Sequence, residues 1–175
     1  GFTIIRRKIK RMANRKQKKE KIKYYFAYGS NMNHEHMKMR CPKAKYLGQW
    51  TLPGHKLVFR SVADVEQSKN NKVSGALFEI TQECERALDR YEGYPNLYTK
   101  KYYTIWHTEM EDVLPQTIMF YSMVDKYGEY PPSEGYFQTI KQGYKDCKLS
   151  TGPLMMAAKN SLISQIDLPN GLTLQ

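Results

Sequence analysis

The 175-residue chain has no apolar run near the roughly 20 residues needed to cross a bilayer, and its basic start lacks the apolar stretch of a secretion signal. A soluble protein of the cytoplasm is therefore expected, with no membrane partner. Cysteine is scarce and odd in number: Cys41, Cys84 and Cys147 are far apart, which argues against a disulfide framework and for reduced thiols. Histidine is scarce as well. His34 and His36 stand two apart, a spacing that does not put them on one helix face, so no metal site is expected. No internal repeat is present. Acid is almost missing from one place only. Residues 1–23 hold eleven Lys and Arg against the single acid Glu20, whereas the remainder holds 17 bases and 16 acids. The formal net charge of +11 thus belongs to a tail, and such charge blocks are usually solvated and unstructured. Residues 1–22 are read as that tail, 23–162 as one domain and 163–175 as a C-terminal tail. Met12 is a candidate natural start, which makes residues 1–11 candidates for added sequence. A contact between the basic tail and nucleic acid is the one nucleic-acid role the composition leaves open.

Aromatic residues are plentiful: fourteen Tyr, six Phe and two Trp supply enough apolar surface for a core. They concentrate in Tyr24-Tyr25-Phe26-Ala27-Tyr28, which runs into Gly29-Ser30-Asn31-Met32-Asn33. The run predicts a buried strand over 23–28, stopped by turn residues. Gly29 removes a Cβ where the chain bends or approaches a ligand. Ser30 and Asn31 are candidate caps of a helix over 33–40, which leaves free N–H groups at a corner suited to an anion or oxyanion.

Farther on, strands are predicted over 44–52 and 55–62 around a Pro53-Gly54 turn, and over 73–80 after a turn at Lys69-Asn70-Asn71-Lys72. Thr81 caps a predicted helix over 82–91, whose Cys84, Ala87, Leu88 and Tyr91 share one face. Strands near 98–107 and 116–124 follow, then helices over 134–145 and near 153–162. The pattern implies an α+β fold: a single domain with a mixed, barrel-like sheet and short flanking helices.

One residue breaks a local rule. Glu92 ends the 82–91 helix, before Gly93 and Pro95, where the helix dipole is negative and a base would be preferred. An acid there, among Tyr91, Tyr94 and Tyr98, is expected to hold its proton above the usual range, as a general base working near neutral pH requires. A solvated helix-end acid is the plain alternative.

Tyr25-Phe26-Ala27-Tyr28-Gly29-Ser30-Asn31-Met32 resembles the opening signature of the gamma-glutamylcyclotransferase family. Arg40-Cys41-Pro42, Val73-Ser74-Gly75-Ala76-Leu77-Phe78, Leu88-Asp89-Arg90-Tyr91-Glu92-Gly93-Tyr94-Pro95 with Tyr98, Phe120-Tyr121, and Pro132-Ser133-Glu134-Gly135-Tyr136 with Ile140 and Gly143 follow in the family's order. The resemblance covers roughly residues 24–160. Lys148 departs from it, standing where the family commonly has glycine.

The resemblance implies an enzyme that needs no metal and no organic cofactor. Its partner is a small γ-glutamyl compound, whose free α-amine attacks the side-chain carbonyl to give 5-oxoproline and an amine or amino acid. Glu92 is the implied acid–base. Tyr28, Gly29, Ser30, Asn31, Tyr121 and Tyr136 are the implied substrate-binding residues, with Tyr121 as a hydrogen-bond donor. A binding module that performs no chemistry is the competing reading.

Overall fold

The computed structural model describes residues 21–105 and 116–166. The basic tail over residues 1–20, the end of the strand expected near 98–107 and the last nine residues lie outside that range. A central strand, β1 (Lys23–Ala27), is buried on both faces, with Phe26 and Ala27 almost fully enclosed. It leads through Gly29 into a single 3₁₀ turn, Ser30–Met32, and then helix α1 (His34–Arg40). The cap of α1 is Asn33, whose side chain accepts from the His36 amide at 3.1 Å. Ser30 and Asn31, expected as the caps, instead make a turn of their own.

Strands β2 (Lys45–Arg60) and β3 (Val62–Ile80) form one long antiparallel hairpin. The chain reverses at Ser61, which takes a left-handed φ of 64°. The turns predicted at Pro53-Gly54 and at 69–72 are both irregularities inside this ladder. Pro53 pairs with Lys72 and His55 with Gln67, so extra β3 residues bulge outward between them. Pairing continues on either side, and turn-forming residues are absorbed as a bulge instead of ending the strands.

Helix α2 (Gln82–Glu92) follows β3. It starts at Thr81, whose hydroxyl accepts from the Cys84 amide at 3.2 Å, and it stops at Gly93, which sits at φ 63° as expected for a left-handed helix end. Strands β4 (Tyr98–Ile105) and β5 (Gln116–Met123) pair antiparallel, and helices α3 (Glu134–Asp146) and α4 (Gly152–Ile163) complete the order. The sheet runs β2-β3-β1-β5-β4, and only β1 and β5 are parallel, so it is mixed. It curls like a barrel without closing. No ladder joins β2 to β4 among the described residues, yet Trp50 of β2 and Tyr103 of β4 meet ring to ring at 5.6 Å. Phe26, Met32, Leu52, Phe59, Ile118, Met119, Ile140 and Tyr144 fill the interior.

Lys148 explains its own oddity. At the end of α3 it takes φ 55°, while its amide donates to the Lys145 carbonyl at 3.0 Å and the next amide, of Leu149, reaches Tyr144 at 2.8 Å. That is the Schellman pattern, whose left-handed residue is ordinarily glycine. Lys148→Gly is expected to raise stability by about 0.5–1 kcal/mol, because the Cβ strain of a left-handed lysine exceeds the extra chain entropy of glycine. Thermal unfolding would read this as a gain of about 2–4 °C; an unchanged or lower midpoint would contradict it.

Candidate active site

Beside β1, a cavity of about 190 Å³ opens between the 3₁₀ turn, the start of β3 and the end of α2. All seven residues singled out from the sequence line it. Tyr28, Gly29, Ser30 and Asn31 come from the strand–turn corner, Glu92 from the end of α2, Tyr121 from β5 and Tyr136 from α3. Tyr25, Val62, Ala63, Tyr91, Leu97 and Tyr98 complete the wall.

The corner works as the residue types suggest. A 3₁₀ turn leaves its first N–H groups without an acceptor inside the turn, and among the described residues the amides of Gly29, Ser30 and Asn31 have none elsewhere. Gly29 sits where a side chain would be tight. A Cβ there would stand 3.3 Å from Ala63 Cβ and 3.5 Å from the Tyr136 hydroxyl. The turn is pinned from behind. Asn31 Nδ2 donates to the Tyr25 hydroxyl at 3.0 Å, Arg40 Nη1 donates to Asn31 Oδ1 at 2.7 Å, and Ser30 Oγ pairs with the Tyr91 hydroxyl at 2.9 Å. Asn31 therefore holds protein partners with both polar atoms of its side chain, while its backbone amide has no partner among the described residues.

Glu92 is half-buried among these rings. Burial pushes its carboxyl up from 4.5 to about 7, and the Arg40 guanidinium pulls weakly in the opposite direction. The shift has the sign expected from the sequence, and desolvation is its main cause. Arg40 had no local signal as a site residue. It ends α1 and reaches the site only because α1 packs beside α2, with its Cζ 3.5 Å above the centre of the Tyr91 ring.

The tyrosines divide by where their protons go. Tyr28 donates to the Tyr121 carbonyl and Tyr98 to the Ala63 carbonyl, both at 2.6 Å, so these two brace the walls. Tyr121 donates to Asp89 Oδ1 at 2.6 Å, and Asp89 also holds Lys100 at 2.9 Å. The Tyr121 proton is thus committed to a carboxylate. Its hydroxyl offers a ligand a lone pair, which reverses the donor role expected from the sequence. Tyr136 is the opposite case: it accepts from the Ala63 amide at 3.0 Å and keeps its own proton to give.

Chemistry elsewhere is sparse. Among the described residues no group of three or more His, Cys, Asp and Glu side chains could hold a metal ion, and no helix is long and apolar enough to cross a membrane. Cys147 does lie 3.6 Å from His34 Nε2, a pairing invisible in sequence, but its thiol is buried and burial raises its pKa, the opposite of a nucleophile's environment. Cys41 is likewise pushed up to about 12 by burial.

Known proteins share both this architecture and its sequence pattern. A gamma-glutamylcyclotransferase from Bos taurus is 27% identical over 135 residues, covering 70% of this chain and 70% of that protein. The crystal structure of an uncharacterised protein from Homo sapiens superposes with a TM-score of 0.63 at 25% identity, covering 89% of this chain and 94% of the other. A solved gamma-glutamyl cyclotransferase also gives 0.63, at 24% identity, covering 89% and 93%, and so supports the fold. The sequence model of the family described as "Gamma-glutamyl cyclotransferase, AIG2-like" matches residues 25–139, a span that carries Glu92 and the other six predicted residues that line the cavity. The chain belongs to that family.

Proposed function

We propose that this protein cyclises the γ-glutamyl group of a small γ-glutamyl amino acid or amine, forming 5-oxoproline and releasing the amine. The observation that carries this reading is a carboxyl with a pKa near 7 in the same cavity as a turn of free backbone amides. The substrate's α-ammonium has an ordinary pKa of about 8, raised further by the carboxylate beside it, and must lose a proton before it can attack. Glu92 takes that proton. The nitrogen then bonds to the side-chain carbonyl carbon, negative charge builds on the carbonyl oxygen, and the amide bond to the departing nitrogen breaks. Glu92 returns its proton to that nitrogen, and the ring nitrogen, which still holds one proton more than a lactam does, gives it up to the released amine, which departs as an ammonium ion; the carboxylate is regenerated and no other reactant is consumed.

The surroundings support each step. Amides of the Gly29–Asn31 turn can hold the substrate carboxylate or the developing oxyanion without reorganising. The Tyr121 lone pair suits an ammonium, and the free Tyr136 proton suits an anionic oxygen. Because the attack is intramolecular, a cavity that keeps the chain curled supplies much of the rate.

Incubating the protein with a panel of γ-glutamyl amino acids and γ-glutamyl amines, with mass spectrometry of the products, tests this. At least one member is expected to yield 5-oxoproline and free amine in equal amounts. Binding without turnover across the whole panel would make the protein a ligand-binding module instead.

A further inference from the structure

The cavity has two unlike ends. Its floor is buried and hydroxyl-rich, with Tyr25 and Tyr121 only 3% and 2% exposed. Its mouth carries apolar surface held in water: Leu97 is 50% exposed and Tyr91 43%, and the half-buried Val62 lines the same cavity. The backbone of Leu97 is anchored on both sides. Its amide donates to the Gly93 carbonyl at 2.9 Å, its carbonyl accepts from the Val124 amide at 3.0 Å, and its Cβ would lie 3.2 Å from any Cβ added at Gly93. The turn that ends α2 therefore fixes the catalytic candidate Glu92 and an exposed leucine five residues later as one rigid unit.

A volume of about 190 Å³ equals roughly six liquid waters, room for a body the size of one amino acid. A curled glutamyl head would fit that space. With the head in the buried end, the nitrogen that leaves the carbonyl would project toward the opening, where Leu97, Val62 and Tyr91 line the wall. An apolar chain on that nitrogen would cover surface that is otherwise wet, and burial of such a rimmed apolar patch is favourable.

Resting on the reading above, we infer that Leu97 and Val62 select γ-glutamyl amides whose departing amine carries an apolar chain. The gain comes from binding shared by ground state and transition state, so it falls on KM more than on kcat.

The test is a series of γ-glutamyl n-alkylamides, from methyl to hexyl, with 5-oxoproline release followed for the parent protein and for Leu97→Ser and Val62→Ser. In the parent, kcat/KM is expected to rise about twofold for each methylene up to butyl, half the effect of full burial because the mouth is open on one side. Each serine variant is expected to flatten that slope, while circular dichroism and the thermal midpoint report an intact fold. A flat or falling series in the parent, with turnover retained, would overturn the inference and leave the cyclisation reading standing. Slopes unchanged in both variants would do the same. Failure of every amide and every panel member to release 5-oxoproline would remove the cyclisation reading and this inference together.

Discussion

Glu92→Gln will fold, bind a γ-glutamyl substrate and form 5-oxoproline about 10³-fold more slowly than the parent, the middle of the range for removing a positioned acid–base. Glutamine keeps the shape and the polar atoms but can neither take the ammonium proton nor return it to the departing nitrogen. The parent should show the matching pH dependence. With the carboxyl near 7, kcat/KM climbs as pH rises through 7, because the deprotonated form is the base. In the variant that limb disappears. A variant that turns over at the parental rate, or a parental profile that is flat from pH 6 to 8, would remove Glu92 from the chemistry.

The same substitution is expected to stabilise the fold, and the sign can be worked out. An unfolded chain loses the Glu92 proton near 4.5, whereas the folded protein keeps it to about 7. Between those values the folded state binds more protons, so stability falls as pH rises through the window, and the full cost is present above 7. The shift corresponds to at most about 3 kcal/mol, and to about 1–2 kcal/mol once solvent in the half-open cavity is allowed for. Glu92→Gln should therefore melt several degrees above the parent at pH 8 and level with it at pH 4. A carboxyl kept at a cost to stability, in the cavity where a base is needed, is what a functional group looks like in thermodynamic terms.

Why Glu92 was legible in the sequence while Arg40 was not follows from how far each signal travels. The Gly29-Ser30-Asn31 corner and the Glu92-Gly93 helix end are local statements: a turn residue after a strand, an acid where a helix dipole disfavours it. Both hold in the structure because nothing distant overrides them. The Pro53-Gly54 and 69–72 turns are local statements too, but there the long β2–β3 ladder continues on either side and absorbs them as one bulge. Arg40, Tyr25 and Asp89 gain their roles only across the fold. Arg40 meets Tyr91 because two helices pack, and Asp89 meets Tyr121 because the fold brings the two side chains together from α2 and β5. Residue type alone gave Tyr121 a hydroxyl to donate; only the position of Asp89 showed that the proton was already taken.

The second large effect is expected at a residue that touches no substrate. Gly143→Ala should lower stability by about 1–3 kcal/mol and, at temperatures where the variant is fully folded, reduce 5-oxoproline formation about 100-fold. In an ordinary helix interior, Gly→Ala gains up to about 1 kcal/mol, so the predicted sign is opposite to propensity. The reason is contact. A Cβ on Gly143 would lie 2.6 Å from the Asn33 amide nitrogen and 2.7 Å from both the carbonyl carbon and the Cβ of Met32. Most of these atoms are backbone, so no rotamer change relieves the clash, and either α3 or the 3₁₀ turn must move. The turn carries the Gly29–Asn31 amides, and α3 carries Tyr136. A displacement of either by about 1 Å takes the turn's free amides or the Tyr136 hydroxyl out of register with Glu92, which stays anchored on α2. Gly135→Ala, at an exposed position near the start of the same helix with no neighbour within 4 Å of the added Cβ, is the control and should leave stability level or slightly higher. If Gly143→Ala instead melts higher than the parent and keeps its rate, then α3 does not seat the turn, and the close approach of helix to corner has no part in building the site.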